Sequence, residues 1–510
     1  MSNFVLTLPL KTEIFQEDIL SKRFEIGRKM YNACLNELHK RYDTMRQSKE
    51  YRKVCKMAKG KERNKQFQSL NNKYGLTEYS LHDFVKPMQH KYKKNIDAFT
   101  SQKVATRCFS AFQGLMFHTA KKVSFKSYDE LNSLEGKSNK TGIRFIDNVL
   151  LWNGLKIPVI IKKNNTYAKM SLENKVKYCR IVRKMIKGKN HYYVQLILDG
   201  IPPMKITKQG EIKGQIGTGS VGLDIGTQTI AYSSQYQVKL LELAPNINKI
   251  DREVKLLQRK MDRSRRVTNP NKFNDNGTII KGNRDKWVYS NHYINVKNKR
   301  KELFRKQSAM RKQSHNILAN DILNLGDRFY VETMSYKGLQ KRSKKTTKNK
   351  DGKINKKKRF GKSLANKAPA MFLTILDNKL KWNGTQLNKI DTYSIKASQY
   401  NHITDKYIKK NLSERWNDFG EFKIQRDLYS SFLIMNVKTN LKEINKEQCE
   451  NTFDNFKSLH DVEINHIITS SNKLIVVWES SLNKRFRNEP YTIANGIIGY
   501  FGSKILMEND

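Results

Sequence analysis

The segment VGLDIGTQTIAYSS, residues 221–234, decides the fold of the second half of the chain. Its apolar start predicts a strand that carries Asp224, Gly226 permits a tight turn, and residues 230–232 predict a second strand returning beside the first. An acidic side chain inside an apolar strand is costly to bury unless it is paired or holds a cation. Asp224 is therefore either a functional carboxylate or a turn aspartate whose oxygens are satisfied locally.

Two more acidic residues lie at the edges of apolar elements. Glu332 ends the strand predicted in DRFYVETMSYKGL, residues 327–339, and Asp427 begins a helical or strand-like run in KIQRDLYSSFLIMNV, residues 423–437. The structural alternatives are a solvated strand end for Glu332 and a helix N-cap for Asp427. Three such acids favour a magnesium site, because Mg²⁺ prefers carboxylate oxygens. Two such ions can activate water and stabilise the leaving oxygen of a phosphodiester.

The D-I-G-T sequence at residues 224–227 fits two unrelated kinds of hairpin. In the actin-like and sugar-kinase fold such a hairpin wraps the phosphates of ATP, and in RNase H-like nucleases the strand aspartate binds catalytic metal. The second and third acids favour the nuclease. The kinase interpretation also needs a second glycine-rich phosphate hairpin and an adenosine loop, and TIANGIIGYFGSK, residues 492–504, is a poor candidate for either.

The composition favours a nucleic-acid partner. The 510 residues include 98 Lys and Arg against 47 Asp and Glu, which gives a formal net charge of +51. An excess this large repels itself unless a polyanion neutralises it, and an enzyme acting only on small metabolites would not require it. Hydrophobic residues make up 38% of the chain, so wholesale disorder is excluded and two to four domains of roughly 100–200 residues are expected.

The cysteines and the N-terminus indicate a reduced, cytoplasmic protein. The five cysteines are scattered and no two have CxxC spacing, so the sequence supports neither a disulfide scaffold nor a cysteine zinc site. The first residues lack the pattern of a signal peptide, and no run of about 18 apolar residues predicts a membrane span. An intracellular location is therefore expected.

The periodicity of apolar residues predicts the other elements. Alternation over residues 4–10 predicts a strand, which Pro9 places at a sheet edge. A helix is expected from Leu20 to Met45, and a second helical stretch from Ser80 to Lys122 is expected to break at Pro87. Strand-like runs follow in GIRFIDNVLLW, LKIPVIIKK and HYYVQLILDG, and a charged helical region covers 249–318. Residues 341–362 hold 12 Lys and Arg without apolar periodicity, which predicts a loop in contact with phosphates or a solvated insertion.

Taken together, the three acidic segments resemble the RuvC-I, RuvC-II and RuvC-III motifs of transposon-encoded TnpB proteins and compact type V CRISPR effectors. Asp224, Glu332 and Asp427 fall on the catalytic acids of that family, and Arg426-Asp427 matches the R-D of its third motif. The segment FEIGRKMYNACLNELHKRY resembles the opening recognition helix of the family, and FRKQSAMRKQSHNILANDIL resembles the helix ahead of its second motif. The resemblance spans nearly the whole chain in order.

The resemblance implies an α/β multidomain protein. An N-terminal β-barrel wedge would hold an inserted helical recognition domain, and an RNase H-like (RuvC) α/β nuclease domain would follow, with a degenerate, zinc-less ribbon-like insertion. The implied boundaries are 1–12 for the first wedge strand, 13–122 for the recognition helices, 123–215 for the β-rich wedge, 216–390 for RuvC motifs I and II, 391–422 for the ribbon-like segment that loads target nucleic acid, and 423–510 for RuvC motif III and the C-terminal region.

The activity implied by the family is that of a Mg²⁺-dependent, RNA-guided DNA endonuclease, with Mn²⁺ as a substitute metal. Such a protein binds a structured guide RNA, recognises a short adjacent motif, unwinds double-stranded DNA and hydrolyses phosphodiesters at one two-metal RuvC site formed by the three acids. Guide RNA and target DNA are the expected partners, with no membrane and no obligate protein partner. The location that the resemblance implies is a prokaryotic cytoplasm, with action at the nucleoid. The alternatives are a catalytically silent RNA-guided DNA-binding protein and, less favoured, the ATP-binding enzyme of the actin-like class.

Two further expectations concern basic residues and zinc. The side chains expected to contact nucleic acid are Arg259, Arg263, Arg265, Arg266, Arg305, Arg311, Lys344, Lys345, Lys357, Lys358, Arg359 and Arg426. The family often carries two CxxC pairs before the third motif, but residues 397–427 contain no cysteine, and Asn401 and Thr404 occupy the positions of the first pair. Because a lone His402 is more often a polar loop residue than a metal ligand, no zinc is expected. We expect four aromatic residues to hold this segment instead: Tyr400, Tyr407, Trp416 and Phe419.

Overall fold

The computed structural model describes residues 3–207, 209–341, 346–348, 352, 354, 360–410 and 414–473. The chain divides into an N-terminal unit, Met1–Pro203, and a C-terminal unit, Met204–Asp510. Most of the predicted basic loop at 341–362 lies outside the described residues, as does the segment 492–504 considered for the kinase interpretation.

The N-terminal unit contains a four-stranded antiparallel sheet and a three-stranded antiparallel sheet. The order of the first is β1-β7-β6-β2 and that of the second is β3-β4-β5. β1 is an edge strand, as Pro9 predicts, and its inward-facing Phe4, Leu6 and Leu8 are buried. The strands are β1 Asn3–Pro9, β2 Ser133–Glu135, β3 Arg144–Ile146, β4 Val149–Trp152, β5 Leu155–Pro158, β6 Val176–Ile186 and β7 Lys189–Asp199.

Helices fill the chain between β1 and β2. They are α1 Ile14–Gln47, α2 Lys49–Lys56, α3 Lys61–Lys73, α4 Glu78–Lys91 and α5 Ala98–Met116, and a short α6, Thr166–Leu172, precedes β6. α1 begins at a capping box, in which the Gln16 side chain accepts a hydrogen bond from the Glu13 backbone at 3.1 Å. The buried Arg23 on α1 donates to the carbonyl oxygens of Trp152 at 2.8 Å and Asn153 at 2.7 Å. This contact ties the helices to the β4–β5 hairpin.

The predicted break at Pro87 is wrong. α4 continues through Pro87 to Lys91, and the break comes at residues 92–97, where the Asp97 carboxylate caps α5. Proline removes one helical hydrogen bond, but Leu81 and Val85 of the same helix are fully buried. Packing of that apolar face outweighs the lost bond, since tertiary contacts supply most of the stability of a helix in a protein.

The C-terminal unit is built around a five-stranded sheet of order β12-β11-β10-β13-β14. β10, β11 and β12 are antiparallel neighbours, whereas β13 pairs in parallel with both β10 and β14. The strands of the unit are β8 Lys205–Ile206, β9 Ile212–Lys213, β10 Ser220–Ile225, β11 Thr229–Ser233, β12 Val238–Glu242, β13 Arg328–Glu332, β14 Leu387–Ile390, β15 Tyr400–Asn401, β16 Lys406–Tyr407, β17 Trp416–Asp418 and β18 Lys423–Gln425. The predicted strand-turn-strand at residues 221–234 is confirmed as β10 and β11.

Helices cover this sheet and extend from it. They are α7 Asp251–Thr268, α8 Asn291–Leu323, α9 Tyr336–Leu339, α10 Gly361–Lys367, α11 Pro369–Trp382, α12 Thr392–Ile395, α13 Arg426–Met435 and α14 Lys446–Lys473. The charged helical region predicted over 249–318 is thus two helices, α7 and α8, joined by the connection 269–290. None of the helices in the described ranges is both long enough and apolar enough to cross a membrane.

α13 lies directly against β10, and Gly222 is the point of contact. A Cβ atom at this position would overlap the carbonyl oxygen of Ser431 and the backbone nitrogen of Met435. Beside this contact, the hydroxyl oxygens of Ser233 and Ser431 are 2.6 Å apart. Only glycine allows the two backbones to approach this closely, so residue 222 sets the distance between α13 and β10.

We expect Gly222→Ala to destabilise the protein by about 2–3 kcal/mol or more, because the new methyl group meets backbone rather than a mobile side chain. Urea unfolding of the full chain measures the change. Gly361→Ala is the matched control, since a Cβ atom there has open space around it and we expect a change within about 0.5 kcal/mol. Equal stabilities for the two variants would contradict the assigned contact.

Candidate functional site

Asp224 and Glu332 lie at equivalent ends of two neighbouring parallel strands. The register of β10 and β13 pairs Gly222 with Tyr330 and Leu223 with Val331. One residue further along each strand lie Asp224 and Glu332, so the sheet brings these two predicted acids to the same edge. Neither local segment alone could show this, since the strands are separated by α7 and α8 in the sequence.

Asp427 lies in the first turn of α13 and is largely buried. The alternative role of helix N-cap is excluded, because Gln425 is the cap and its side-chain oxygen accepts a hydrogen bond from the Leu428 backbone at 2.8 Å. α13 packs on the face of β10 to which Gly222 points, and Asp224, two residues along the strand, points to the same face. The third acid is therefore carried by the helix that covers the first.

Arg426 connects these acids electrostatically. Burial lowers the pKa of its guanidinium, and the negative charge of Asp224 opposes that shift. Its Nη1 donates to the carbonyl oxygen of Glu414 at 2.9 Å, and its Nη2 lies 3.8 Å from Oδ1 of Asp427. Arg426, which the sequence places among the nucleic-acid contacts, is thus held mostly inside the protein between two of the three acids.

Tyr336 is a site residue that sequence reasoning missed. It follows β13 at the start of α9, and its hydroxyl is buried without a hydrogen-bond partner among the described residues. Burial, followed by the charge of Asp224, raises the pKa of this hydroxyl, and burial also raises the pKa of Glu332. Glu332 and Tyr336 line one cavity of about 280 Å³ together with Lys389. The position of Tyr336, four residues after Glu332, is the one sequence signal that could have indicated its role.

His460 is a second missed residue, and it fixes the start of α13. The side chain is fully buried on α14, and its Nε2 accepts the backbone N–H of Gln425 at 3.1 Å. Nδ1 lies 2.8 Å from Oδ1 of Asp461, so the hydrogen bonds assign the proton to Nδ1. No pattern near Asp427 indicates this residue, because it arrives from a separate helix.

The donor chemistry of the site suits a hard cation, but the three acids are not arranged as a finished metal site. Across the part of the chain that the structure describes, no group of three or more His, Cys, Asp or Glu side chains has a geometry that could hold a metal ion. Asp224 and Glu332 lie at the same end of neighbouring strands, and burial disfavours the charged form of Glu332. A divalent cation would offset that cost, and its ligands would be oxygen atoms, as Mg²⁺ prefers.

The ribbon-like segment, residues 391–422, contains a cluster of aromatic side chains. The rings of Tyr400 and Tyr407 lie 4.9 Å apart, Trp416 is buried, and Phe419 stacks on Phe422 at 5.2 Å. Of the four aromatic residues predicted to hold this segment, Tyr400, Trp416 and Phe419 belong to its core, whereas Tyr407 is exposed and contacts the core through Tyr400. Asn401, in the position of a missing cysteine, accepts the backbone N–H groups of residues 403 and 404 through Oδ1.

The prediction that His402 is a polar loop residue needs correction. Its side chain is 1% exposed, and Nδ1 lies 2.6 Å from the Tyr429 hydroxyl. The ring also packs at 4.7 Å from that of Phe453. Burial, and then the nearby charge of Lys446, lowers the pKa of His402 to about 4. The residue is a neutral part of the core between this segment and α13.

The predicted nucleic-acid contacts have different surroundings. Arg259 and Arg263 are exposed on α7. Asp262 pairs with Arg265 at 2.7 Å and approaches Arg266 at 4.0 Å, and Arg305 pairs with Glu302 at 2.6 Å. Arg311 donates to the carbonyl oxygens of Ala365 and Asn366, and burial lowers its pKa, so it ties α8 to α10. Five of the predicted contacts lie outside the described residues: Lys344, Lys345, Lys357, Lys358 and Arg359.

Comparisons with known proteins give similarity to solved structures only. No protein-family model and no curated protein matches the sequence. A structure described as the Cas12f1-sgRNA-target DNA complex aligns with 84% of this chain and 98% of its own, at 10% identity and a TM-score of 0.39. A CRISPR-Cas12f ternary complex aligns with 83% of this chain and 82% of its own, at 12% identity and a TM-score of 0.25.

Both neighbours are CRISPR-Cas12f complexes. Both TM-scores lie below 0.5, so neither alignment carries an argument about the function of this chain.

We expect His402 to make the folded state sensitive to acid. Because its pKa is lowered from 6.5 to about 4, the unfolded chain takes up the proton first, so its contribution is complete above pH 6.5 and is lost as the pH falls towards 4. The loss between pH 7 and pH 5 is about 2 kcal/mol. Urea unfolding at the two pH values measures it, with His402→Gln as the non-titrating comparison. Parallel losses in both proteins would contradict this role.

Proposed function

We propose that this protein is an RNA-guided DNA endonuclease that hydrolyses phosphodiesters at one RuvC-type site. The observation that supports the proposal most is the placement of the acids. Asp224 and Glu332 lie side by side at the end of parallel strands, and the helix that carries Asp427 packs on the face to which Asp224 points. Neighbouring carboxylates that are partly buried are costly, because burial disfavours their charged form and like charges repel, and a bound cation would offset both effects.

The proposed roles follow from the surroundings of each residue. Asp224, Glu332 and Asp427 would hold the metal, and bound Mg²⁺ would supply activation of the attacking water and charge stabilisation on the leaving oxygen. Arg426 balances the charge of Asp224 and holds its own position through the Glu414 carbonyl. His460 fixes the backbone at Gln425, just before α13, and thereby helps to fix the position of Asp427 in the first turn of that helix.

The partners proposed are a structured guide RNA and complementary double-stranded DNA. The charge supports this assignment, because phosphate neutralisation and counterion release account for most of the affinity of a basic protein for nucleic acid. The sequence of the target DNA would be recognised by base pairing with the guide RNA, and the protein would contact the backbone of the paired strands and recognise their shape. We propose that the two sheets of the N-terminal unit form the wedge barrel and that α1–α5 form the recognition helices.

A catalytically silent RNA-guided DNA-binding protein is the second candidate. It is favoured by one observation, that the three acids do not form a metal-ready group within the described part of the chain. The two candidates differ in a single measurement, which is cleavage of guide-matched DNA in the presence of Mg²⁺.

We expect Asp224→Ala, Glu332→Ala and Asp427→Ala each to abolish DNA cutting while guide-dependent DNA binding persists. Removing one hard ligand empties or misplaces the cation, whereas binding draws on Lys and Arg contacts and on the heteroduplex. A double variant should cut little less than a single one, because the acids act as a unit. A cleavage assay beside a binding assay at matched salt tests this.

The control for these variants is Glu443→Ala, which removes one exposed carboxylate elsewhere in the same unit. It should cut like the wild type. Cutting by Asp224→Ala at a near wild-type rate, with contaminating nuclease excluded, would falsify the catalytic assignment.

Cutting should depend on magnesium and not on zinc. We expect EDTA to stop the reaction, Mg²⁺ or Mn²⁺ to restore it, and a zinc-selective chelator to leave it unchanged. The reason is that residues 391–427 contain no cysteine and Nδ1 of His402 is engaged with Tyr429. Elemental analysis of the purified protein provides a second readout, and stoichiometric zinc would overturn the expectation.

A further inference from the structure

A basic groove lies between α7 and α8, away from the three acids in the sequence. It has a volume of about 510 Å³, which is in the range of small-molecule sites. Four cations, one acid and one tyrosine stand out in its lining: Lys255, Arg259, Arg265, Arg300, Asp262 and Tyr293. Asp262 is paired with Arg265 at 2.7 Å, so the groove keeps an excess of positive charge after this ion pair is counted.

Two stacked tyrosines extend the groove. The rings of Tyr289 and Tyr293 are 4.5 Å apart with an angle of 17° between their planes. They flank the start of α8, where the Ser290 hydroxyl caps the helix by accepting the backbone N–H of Tyr293 at 3.1 Å. The Nζ of Lys297 lies 5.9 Å from the ring of Tyr289. Tyr289 is 44% exposed, so part of its aromatic surface is open to solvent.

Hydrogen bonds between α7 and the start of α8 hold the backbone beside the two tyrosines. Asn269, which is buried at the end of α7, donates to the carbonyl oxygen of Val288 at 2.8 Å and accepts the Val288 N–H at 2.8 Å. The hydroxyls of Ser264 and Ser290 join the two helices at 2.9 Å. The backbone on both sides of Tyr289 is therefore fixed before any ligand arrives, which lowers the entropy cost of binding.

We propose that this groove binds an unpaired segment of nucleic acid. Its cations would contact successive phosphates, and a base would stack on the open surface of Tyr289. The combination of a positively charged groove with aromatic rings is the chemistry that holds single strands without regard to sequence, since every base has a π-face. A duplex keeps its base faces inside the stack and would use the charges alone. The inference rests on the proposed nucleic-acid partner but not on the cleavage reaction.

The test compares binding of short single-stranded oligonucleotides to the full-length, RNA-free protein in EDTA, where no cutting occurs. Tyr289→Ala should weaken binding of oligo-dT and oligo-U by about tenfold, because one base–aromatic stack is lost. Tyr289→Phe should retain the wild-type affinity, since it keeps the ring. Tyr236→Ala removes a tyrosine of similar exposure from a β-turn and should also bind normally.

The salt dependence of oligonucleotide binding separates the contribution of base stacking from that of phosphate contacts. Tyr289→Ala should leave the slope of log K against log salt unchanged, whereas Arg259→Gln should reduce it by about 0.7, the value for one phosphate of a single strand. Loss with only one of the two oligonucleotides supports the site and identifies which of these two single strands it accepts.

Wild-type affinity of Tyr289→Ala, provided that its thermal unfolding matches that of Tyr289→Phe, would overturn the inference. An equal loss of affinity for a duplex of the same length would also overturn it, because stacking on an open base would then not be the cause. If only the endonuclease proposal fails, the guide-loaded protein will not cut DNA, but its binding of single strands will still depend on Tyr289.

Discussion

The close approach of α13 to β10 is the constraint on which the rest of the C-terminal unit depends. At Gly222 a strand and a helix meet backbone to backbone, without an intervening side chain. A second close approach precedes the strand, where a Cβ atom on Gly217 would overlap the carbonyl of Asn324. These two contacts hold β10 between the end of α8 and the face of α13. The position of Asp224 is thereby fixed by backbone geometry, which tolerates less variation than side-chain packing.

The acids that this geometry gathers are placed at a cost. Glu332 is pushed towards its neutral form by burial, Asp427 is largely buried, and the Tyr336 hydroxyl finds no partner among the described residues. Each of these features opposes folding, and each lies within one small region. Strain of this kind is retained at sites whose chemistry uses it, and the rest of the unit must supply the compensating stability. The complete burial of Leu428 and Phe432 on α13 contributes to that stability.

Two kinds of feature could be predicted from the sequence: acidic residues that interrupt an apolar run, and elements whose apolar residues recur at a regular period. Asp224, Glu332 and Asp427 are visible because each interrupts an apolar run, and β1, α1 and the β10–β11 hairpin are visible from their periods. The errors arise where distant packing overrides a local rule. Pro87 does not end its helix because the buried residues of that helix hold it, and His402 is not a polar loop residue because it packs against Tyr429 and Phe453. His460 belongs to the same class, since its role exists only once α14 has folded against residues 423–425.

The ribbon-like segment has a consequence for how the protein acquires its structure in the cell. Tyr400 and Trp416 are buried in it, Phe419 and Phe422 pack against the same core, and His402 contacts Tyr429 of α13. The segment therefore completes its core only when the chain as far as α13 has been synthesised. Its stability follows the temperature dependence of apolar burial, which carries a large heat capacity of unfolding and weakens in the cold. Growth temperature therefore affects how firmly this segment is held against the helix that carries Asp427.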